Sequence, residues 1–316
     1  MISKRFAFLF PGQGSQYVGM GQEFYNHSKA SFERFKEAEE ILGFNISSLC
    51  FNGPEETLKL TENTQPAIFI VSVIACELLK ENGVTPCISA GHSLGEYSAL
   101  FAAGSLGFCD GVSLVRMRGR FMQEAVPPGA GAMAAIIGLE RDIIEDICKK
   151  IEDNGGNKTV QPANYNIPEQ TVIAGEKGSV EMAAKIAQDK GAKKVLMLPV
   201  SAPFHTKLMK PAEERFGVEL DRVKFNELAF PIITNVDAKT ISGGDDARKS
   251  LKRQVSNPVR WVESMRLIMD NKIDTVIELG PGRVLSGLMK RINKDVRCLN
   301  VEDMKSLEKT ITELRS

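Results

Sequence analysis

A serine with a glycine two residues away on either side, Gly91-His92-Ser93-Leu94-Gly95, is the segment best built for nucleophilic chemistry. The apolar run ending Pro86-Cys87-Ile88-Ser89-Ala90 leads in as a strand, and Glu96-Tyr97-Ser98-Ala99-Leu100-Phe101-Ala102-Ala103 leads out as a helix. Glycines beside the serine permit a tight strand-to-helix turn. That turn presents the hydroxyl at a helix N-terminus, where free backbone N–H groups can hold an oxyanion.

A serine hydroxyl is a weak nucleophile until a base takes its proton, and histidine is the usual base. The chain has three histidines. His92 adjoins the serine on a sharp turn, where neighbouring side chains diverge, so it is expected to point into the scaffold. His27 lies in a polar stretch and reads as a surface residue. His205, after Ser201-Ala202-Pro203-Phe204, remains as the base by elimination. No carboxylate beyond it stands out as an orienting third group, since Asp221, Asp237 and Asp274 lie in ordinary solvated or turn-like contexts. A neutral amide or a backbone carbonyl could accept from the other ring N–H instead.

The elements that must position these residues follow an α/β pattern. Apolar strand-like runs at Phe6–Phe10, Pro86–Ala90, Phe230–Asn235, Thr275–Leu279 and Val296–Leu299 alternate with amphipathic helices, which predicts a mainly parallel sheet. One segment differs. Strands at Gly131–Leu139, Val160–Tyr165, Gln170–Ala174 and Lys194–Val200, with helices at Arg141–Glu152 and Val180–Lys190, give the order βαββαβ of a ferredoxin-like unit. The expected architecture is a hydrolase-like large domain from 1–129 and 200–316, with a ferredoxin-like small domain from 130–199 inserted in it. A cleft between two such domains is a common place for a site.

Composition narrows the function classes. The 316 residues balance 40 Lys+Arg against 40 Asp+Glu, and a net charge of zero argues against a general nucleic-acid binder. The longest apolar run, Pro66 to Cys76, is too short for a membrane span and reads as a buried helix. The N-terminal apolar stretch from Met1 to Phe10 is too short for a signal peptide, and Pro11-Gly12-Gln13-Gly14 replaces a cleavage site. Six scattered cysteines without a C-x-x-C pair fit reduced thiols in a cytoplasm. There is no metal-spaced cluster and no P-loop, so neither a metal nor another cofactor is expected. No long heptad pattern points to an oligomer.

With these residues in view, the chain resembles the malonyl-CoA:acyl carrier protein transacylases of fatty acid synthesis over essentially its full length. The landmarks fall in that family's order. They are Pro11-Gly12-Gln13-Gly14-Ser15-Gln16, Gly91-His92-Ser93-Leu94-Gly95-Glu96, Arg118 within Met117-Arg118-Gly119-Arg120, and Gly131-Ala132-Met133-Ala134-Ala135. Phe204-His205, Gln254 with Asn257-Pro258-Val259, and Glu278-Leu279-Gly280-Pro281-Gly282 follow.

The resemblance implies a ping-pong transfer of malonyl from malonyl-CoA to the phosphopantetheine thiol of holo-acyl carrier protein. It implies Ser93 as the acylated nucleophile, His205 as its base and Gln254 as the residue that orients the histidine through a carbonyl. It also implies an oxyanion hole from the backbone N–H groups of Gln13 and Leu94, and a monomer, the state in which that family often works. Spacing alone does not say which of Arg116, Arg118 and Arg120 turns inward; the resemblance selects Arg118 as partner of the malonyl carboxylate, which a guanidinium can take through two parallel hydrogen bonds. Phe204, the bulky residue before the base, would leave little room for an α-methyl group, and Met122 and Met133 would line the same pocket. Carrier proteins are typically acidic, and Lys207, Lys210, Lys290, Arg291 and Lys294 are the basic residues that could meet one or simply form a solvated face. The competing readings are a serine thioesterase or esterase, a module that only docks carrier protein, and an acyltransferase serving polyketide synthesis. Arg118 and the missing acid weigh against hydrolysis; Ser93 with a base weighs against mere docking.

Overall fold

The structure, a computed structural model, describes residues 5–153, 158–200 and 202–315. Met1 to Lys4, where the N-terminal apolar stretch begins, and Ser201, ahead of His205, lie outside the described residues. Among the described residues ten strands form two sheets: β1 (Phe6–Phe10), β2 (Ile88–Gly91), β3 (Gly131–Ile137), β4 (Val160–Ile167), β5 (Gln170–Glu176), β6 (Lys194–Met197), β7 (Ile232–Ile233), β8 (Thr240–Ile241), β9 (Thr275–Leu279) and β10 (Arg297–Val301). The first sheet has the order β10-β9-β1-β2-β7-β8 and is parallel except where β8 turns back on β7. The second, β4-β5-β3-β6, is antiparallel throughout. The fold is thus α/β, with a hydrolase-like parallel sheet and a separate ferredoxin-like antiparallel sheet.

Strand alternation decides what each face covers. Along β1, Phe8 and Phe10 enter a core built on the long Thr61–Glu81 helix. Ala7 and Leu9 face the opposite side, with Ile88, Ala90, Trp261 and Met265. The Thr61–Glu81 helix is buried throughout Pro66 to Cys76, as the apolar run predicted. No helix among the described residues is long and apolar enough to cross a membrane. In β3, Ala132, Ala134 and Ile136 pack on the helices Arg141–Asp153 and Lys177–Asp189, whereas Met133 and Ala135 face the core of the first sheet. This alternation aims Met133 at the junction of the sheets.

Two strands fall well short of the expected runs, whereas β2 and β3 differ from theirs by one or two residues at an end. The expected Phe230–Asn235 run pairs only at Ile232–Ile233. The chain then turns, Ala238 N–H donating to Thr234 O, so Asn235 leaves the ladder and serves the site instead. The expected Lys194–Val200 strand stops at Met197, because Pro199 has no N–H for the ladder. Leu198 still donates to Met133 O and carries the chain toward Phe204.

Candidate active site

The nucleophile elbow exists because two glycines let three segments touch. A Cβ on Gly91 would stand 1.8 Å from the carbonyl carbon of Gly95, and one on Gly95 would stand 2.0 Å from Phe10 O. No side chain fits either gap, so β2 can end at Gly91 and the helix Gly95–Ala102 can begin four residues later. Ser93 sits at the apex with φ of 51°, in the left-handed region. Asn235 ties the turn down. Its Oδ1 accepts from Ser93 N at 2.6 Å, and its Nδ2 donates to Gly91 O at 2.6 Å.

His205 meets Ser93 from across the cleft. Ser93 Oγ donates to His205 Nε2 at 2.8 Å, and His205 Nδ1–H donates to the backbone carbonyl of Gln254 at 2.9 Å. The second bond fixes the tautomer that leaves Nε2 free to take a proton. Burial and then the nearby Arg118 charge push the His205 pKa down to about 3, against the pull of the Gln254 carbonyl. The imidazole is therefore neutral at pH 7. The three aspartates weighed as orienters are elsewhere: Asp221 pairs with Lys252, Asp237 with Arg253, and Asp274 accepts from Thr275.

The three arginines separate cleanly. Arg116 binds Glu62 and Asn63, and Arg120 binds Glu124. Arg118 is 1% exposed and turns inward. Its Nη1 donates to Gln65 Oε1 at 2.8 Å; its Nη2 donates to Gln254 Oε1 at 2.9 Å and to Ser93 Oγ at 3.1 Å. Among the described residues no ion pair reaches Arg118, and its Nε has no partner. Burial draws its pKa down, yet a guanidinium remains charged at neutral pH. A buried guanidinium that no carboxylate touches directly favours an anionic ligand.

A cavity of about 120 Å³ joins the site, far below the roughly 300–1,000 Å³ typical for drug-sized ligands. Gln13, Ser93, Leu94, Arg118, Met122, Met133, Phe204 and His205 all line it, and Gln254 lies directly behind. Among the described residues the backbone N–H groups of Gln13 and Leu94 meet no protein acceptor, whereas Ser93 N–H is taken by Asn235. His92 points away from Ser93: its ring packs 5.3 Å from Trp261 and bonds Asn166 at 2.9 Å. His27 is exposed. Of the basic residues, Lys207 pairs with Glu152 and Lys210 with Glu213, while Lys290, Arg291 and Lys294 lie exposed at and just beyond the end of the helix Val284–Ile292.

Residues 7–313 match the acyl transferase domain family. The chain belongs to the acyl transferase family. It is 45% identical over 311 residues to the malonyl CoA-acyl carrier protein transacylase of Bacillus subtilis, covering 98% of each chain. The solved malonyl CoA-acyl carrier protein transacylase of Coxiella burnetii superposes with a TM-score of 0.95 at 39% identity, over 99% of this chain and 98% of that one. A malonyl-transacylase solved in complex with its type II PKS acyl-carrier protein also reaches 0.95, at 42% identity over 98% and 100%.

Several residues of this acyl transferase site escape sequence reasoning. Asn235, Gln65, Ser250 and Glu96 each hold a polar side chain in the buried network around Ser93 and Arg118. Glu96 carried a signal, being the one charged residue of its helix, whereas Gln65 is one of five polar residues that open the Thr61–Glu81 helix. Asn235 and Ser250 carried none, because their partners lie more than 130 residues away.

Proposed function

We propose that this acyl transferase moves the malonyl group from malonyl-CoA to the phosphopantetheine thiol of an acyl carrier protein by a ping-pong mechanism. The observation that carries the reading is the Ser93–His205 pair at 2.8 Å with Arg118, buried and with no carboxylate bonded to it directly, 3.1 Å from the same hydroxyl. Ser93 Oγ attacks the thioester carbonyl and passes its proton to His205 Nε2. The backbone N–H groups of Gln13 and Leu94 receive the oxyanion, each such donor being worth on the order of 3–4 kcal/mol. Collapse breaks the C–S bond, and His205 returns the proton to the departing sulfur. Arg118 holds the carboxylate while the malonyl ester waits, and the carrier thiol then reverses the steps. The negative charge that develops in the pocket counteracts the burial that makes His205 a weak base in the empty site.

Met122, Met133 and Phe204 bound the acyl group, consistent with the small cavity. Residues 1–129 and 200–316 form the large domain of this reading and 130–199 the inserted one, with the acyl pocket at their junction. Lys290 and Arg291 are the exposed basic pair that would meet an acidic carrier in this reading. Resemblance to the malonyl-transacylase bound to a polyketide carrier supports a second reading, the same transfer to a polyketide-type carrier.

Intact mass after brief mixing with malonyl-CoA tests the mechanism. A malonyl adduct is expected on the wild-type chain and not on Ser93→Ala, and holo-carrier protein should discharge it. Steady release of CoA with neither adduct nor acceptor would make the enzyme a hydrolase and sink the proposal. Fatty-acid and polyketide carriers compared as acceptors separate the two pathways.

A further inference from the structure

Glu96 is one of two carboxylates, with Glu278, that are fully buried among the described residues. Glu278 has a structural task, accepting from Leu285 N and Ser286 N at the start of the Val284–Ile292 helix. Glu96 instead joins the active site. Its Oε2 accepts from Gln254 Nε2 at 2.8 Å and from Asn235 N at 2.9 Å, and its Oε1 meets Ser250 Oγ at 3.1 Å. Gln254 is the link. Its amide nitrogen binds Glu96 and Ser93 O, and its amide oxygen accepts from Arg118 Nη2. Reversing the amide would set donor against donor at Arg118 and acceptor against acceptor at Glu96, so the order Glu96–Gln254–Arg118 has one sense.

We infer that Glu96 is the internal counter-ion of Arg118 in the empty enzyme, and that it takes up a proton when the malonyl carboxylate arrives to pair with Arg118. The inference rests on the malonyl reading above. One buried cation balances one buried anion. A second carboxylate within the same desolvated network leaves an excess negative charge, and protonating Glu96 removes it. The hydrogen bonds survive the change. Ser250 Oγ donates to Oε1 in the ionised state; its hydroxyl can rotate to accept from a proton carried on Oε1, while Oε2 still accepts from Asn235 and Gln254.

The surroundings leave Glu96 poised for this exchange. Burial pushes its carboxyl up to about 7, against the donors from Asn235, Gln254 and Ser250 and the Arg118 charge. The other ionisable groups that feel it are Tyr97, next to it, and Arg253, which is held by Asp237. β1 and β2 carry no charged side chain. On the Thr61–Glu81 helix, Glu62 and Glu77 are paired with Arg116 and Arg34, Lys80 donates to Ala102 O, and Glu81 is exposed. On the Phe108–Glu124 helix that carries Arg118, the remaining charged residues are the exposed Asp110, Arg120 and Glu124 besides Arg116.

The test counts protons during single-turnover acylation at pH 7.5 in weak buffer with an indicator dye, alongside the mass of the adduct. In acylation itself the Ser93 proton ends on CoA sulfur as the C–S bond gives way to C–O, so any net uptake comes from solvent. A group titrating at about 7 is about three-quarters ionised at pH 7.5; malonyl-CoA should therefore draw up to about that fraction of a proton per adduct. Acetyl-CoA, which brings no carboxylate, should draw none, and it corrects for exchange at the released thiol without relying on any variant. Glu96→Gln keeps the hydrogen bonds and should abolish the uptake. Adduct formation by wild type without proton uptake would overturn the inference, as would equal uptake by Glu96→Gln. Absence of any malonyl adduct on wild type would defeat the malonyl reading itself, and this inference with it.

Discussion

Removing the Arg118 guanidinium should change which acyl donor the enzyme prefers more than it slows the enzyme. In Arg118→Ala both donors lose the hydrogen bonds that Arg118 gives to Ser93 Oγ and Gln254 Oε1 in the empty site. That loss is shared, and it cancels in the ratio of kcat/KM for malonyl-CoA to kcat/KM for acetyl-CoA. What does not cancel is the pairing of a 1% exposed guanidinium with the malonyl carboxylate. Truncating one partner of such a buried, hydrogen-bonded charge pair costs about 2–5 kcal/mol. At about 1.4 kcal/mol per decade, the preference for malonyl should fall roughly 30- to 5,000-fold. Arg118→Lys restores the charge but not the planar fork, and should recover only part of the loss. The assay is thioester exchange to holo-carrier protein at several concentrations of each donor. An equal fall for both donors would make Arg118 a support for Ser93 and Gln254 and refute its part in selecting the substrate.

The remaining predictions concern the base and the pocket wall. Because His205 is held at about 3 by burial and Arg118, acylation should lose no activity from its protonation between pH 7 and pH 4.5, where an ordinary histidine would have lost most; a half-loss near pH 6.5 in a single-turnover profile would contradict the neutral-base assignment. The same depressed pKa means that His205 costs stability only as pH falls from about 6.5 toward 3, because the unfolded chain binds the proton first. Replacing His205 with Gln should flatten that part of a denaturation midpoint-versus-pH curve. Phe204 is buried against the cavity, so Phe204→Ala should raise kcat/KM for methylmalonyl-CoA relative to malonyl-CoA by about 1–3 kcal/mol, or roughly 10–200-fold. An unchanged ratio would show that the ring serves the core alone.

Much of the molecule was legible in one dimension because its signals are local. The strand at Phe6–Phe10 and the buried helix around Pro66 to Cys76 follow from runs of apolar residues, and the βαββαβ segment follows from its order of periods. The elbow is local too, since glycines on either side of a serine, between a strand-like and a helix-like run, permit a turn that other side chains could not enter. His205, the histidine that meets Ser93, was reachable by elimination, because a chain with three histidines offers few choices.

What only the tertiary structure decided is which polar groups become neighbours once water is excluded. Nothing in the spacing of Arg116, Arg118 and Arg120 says which one lies inward; that depends on where the Thr61–Glu81 helix packs, which brings Glu62 to Arg116 and Gln65 to Arg118. The resemblance names Gln254, but only the folded chain shows that its backbone carbonyl accepts from His205 while its side chain serves Arg118 and Glu96 instead. The short pairing of β7 frees Asn235 to bind the elbow from 142 positions away. Glu96 gains its significance only from burial, which raises its proton affinity, and from the Gln254 amide that joins it to Arg118. Sequence fixes local conformation through propensity and periodicity, whereas the strength of a charge or hydrogen bond depends on the dielectric and the partners around it, and those exist only in the folded chain.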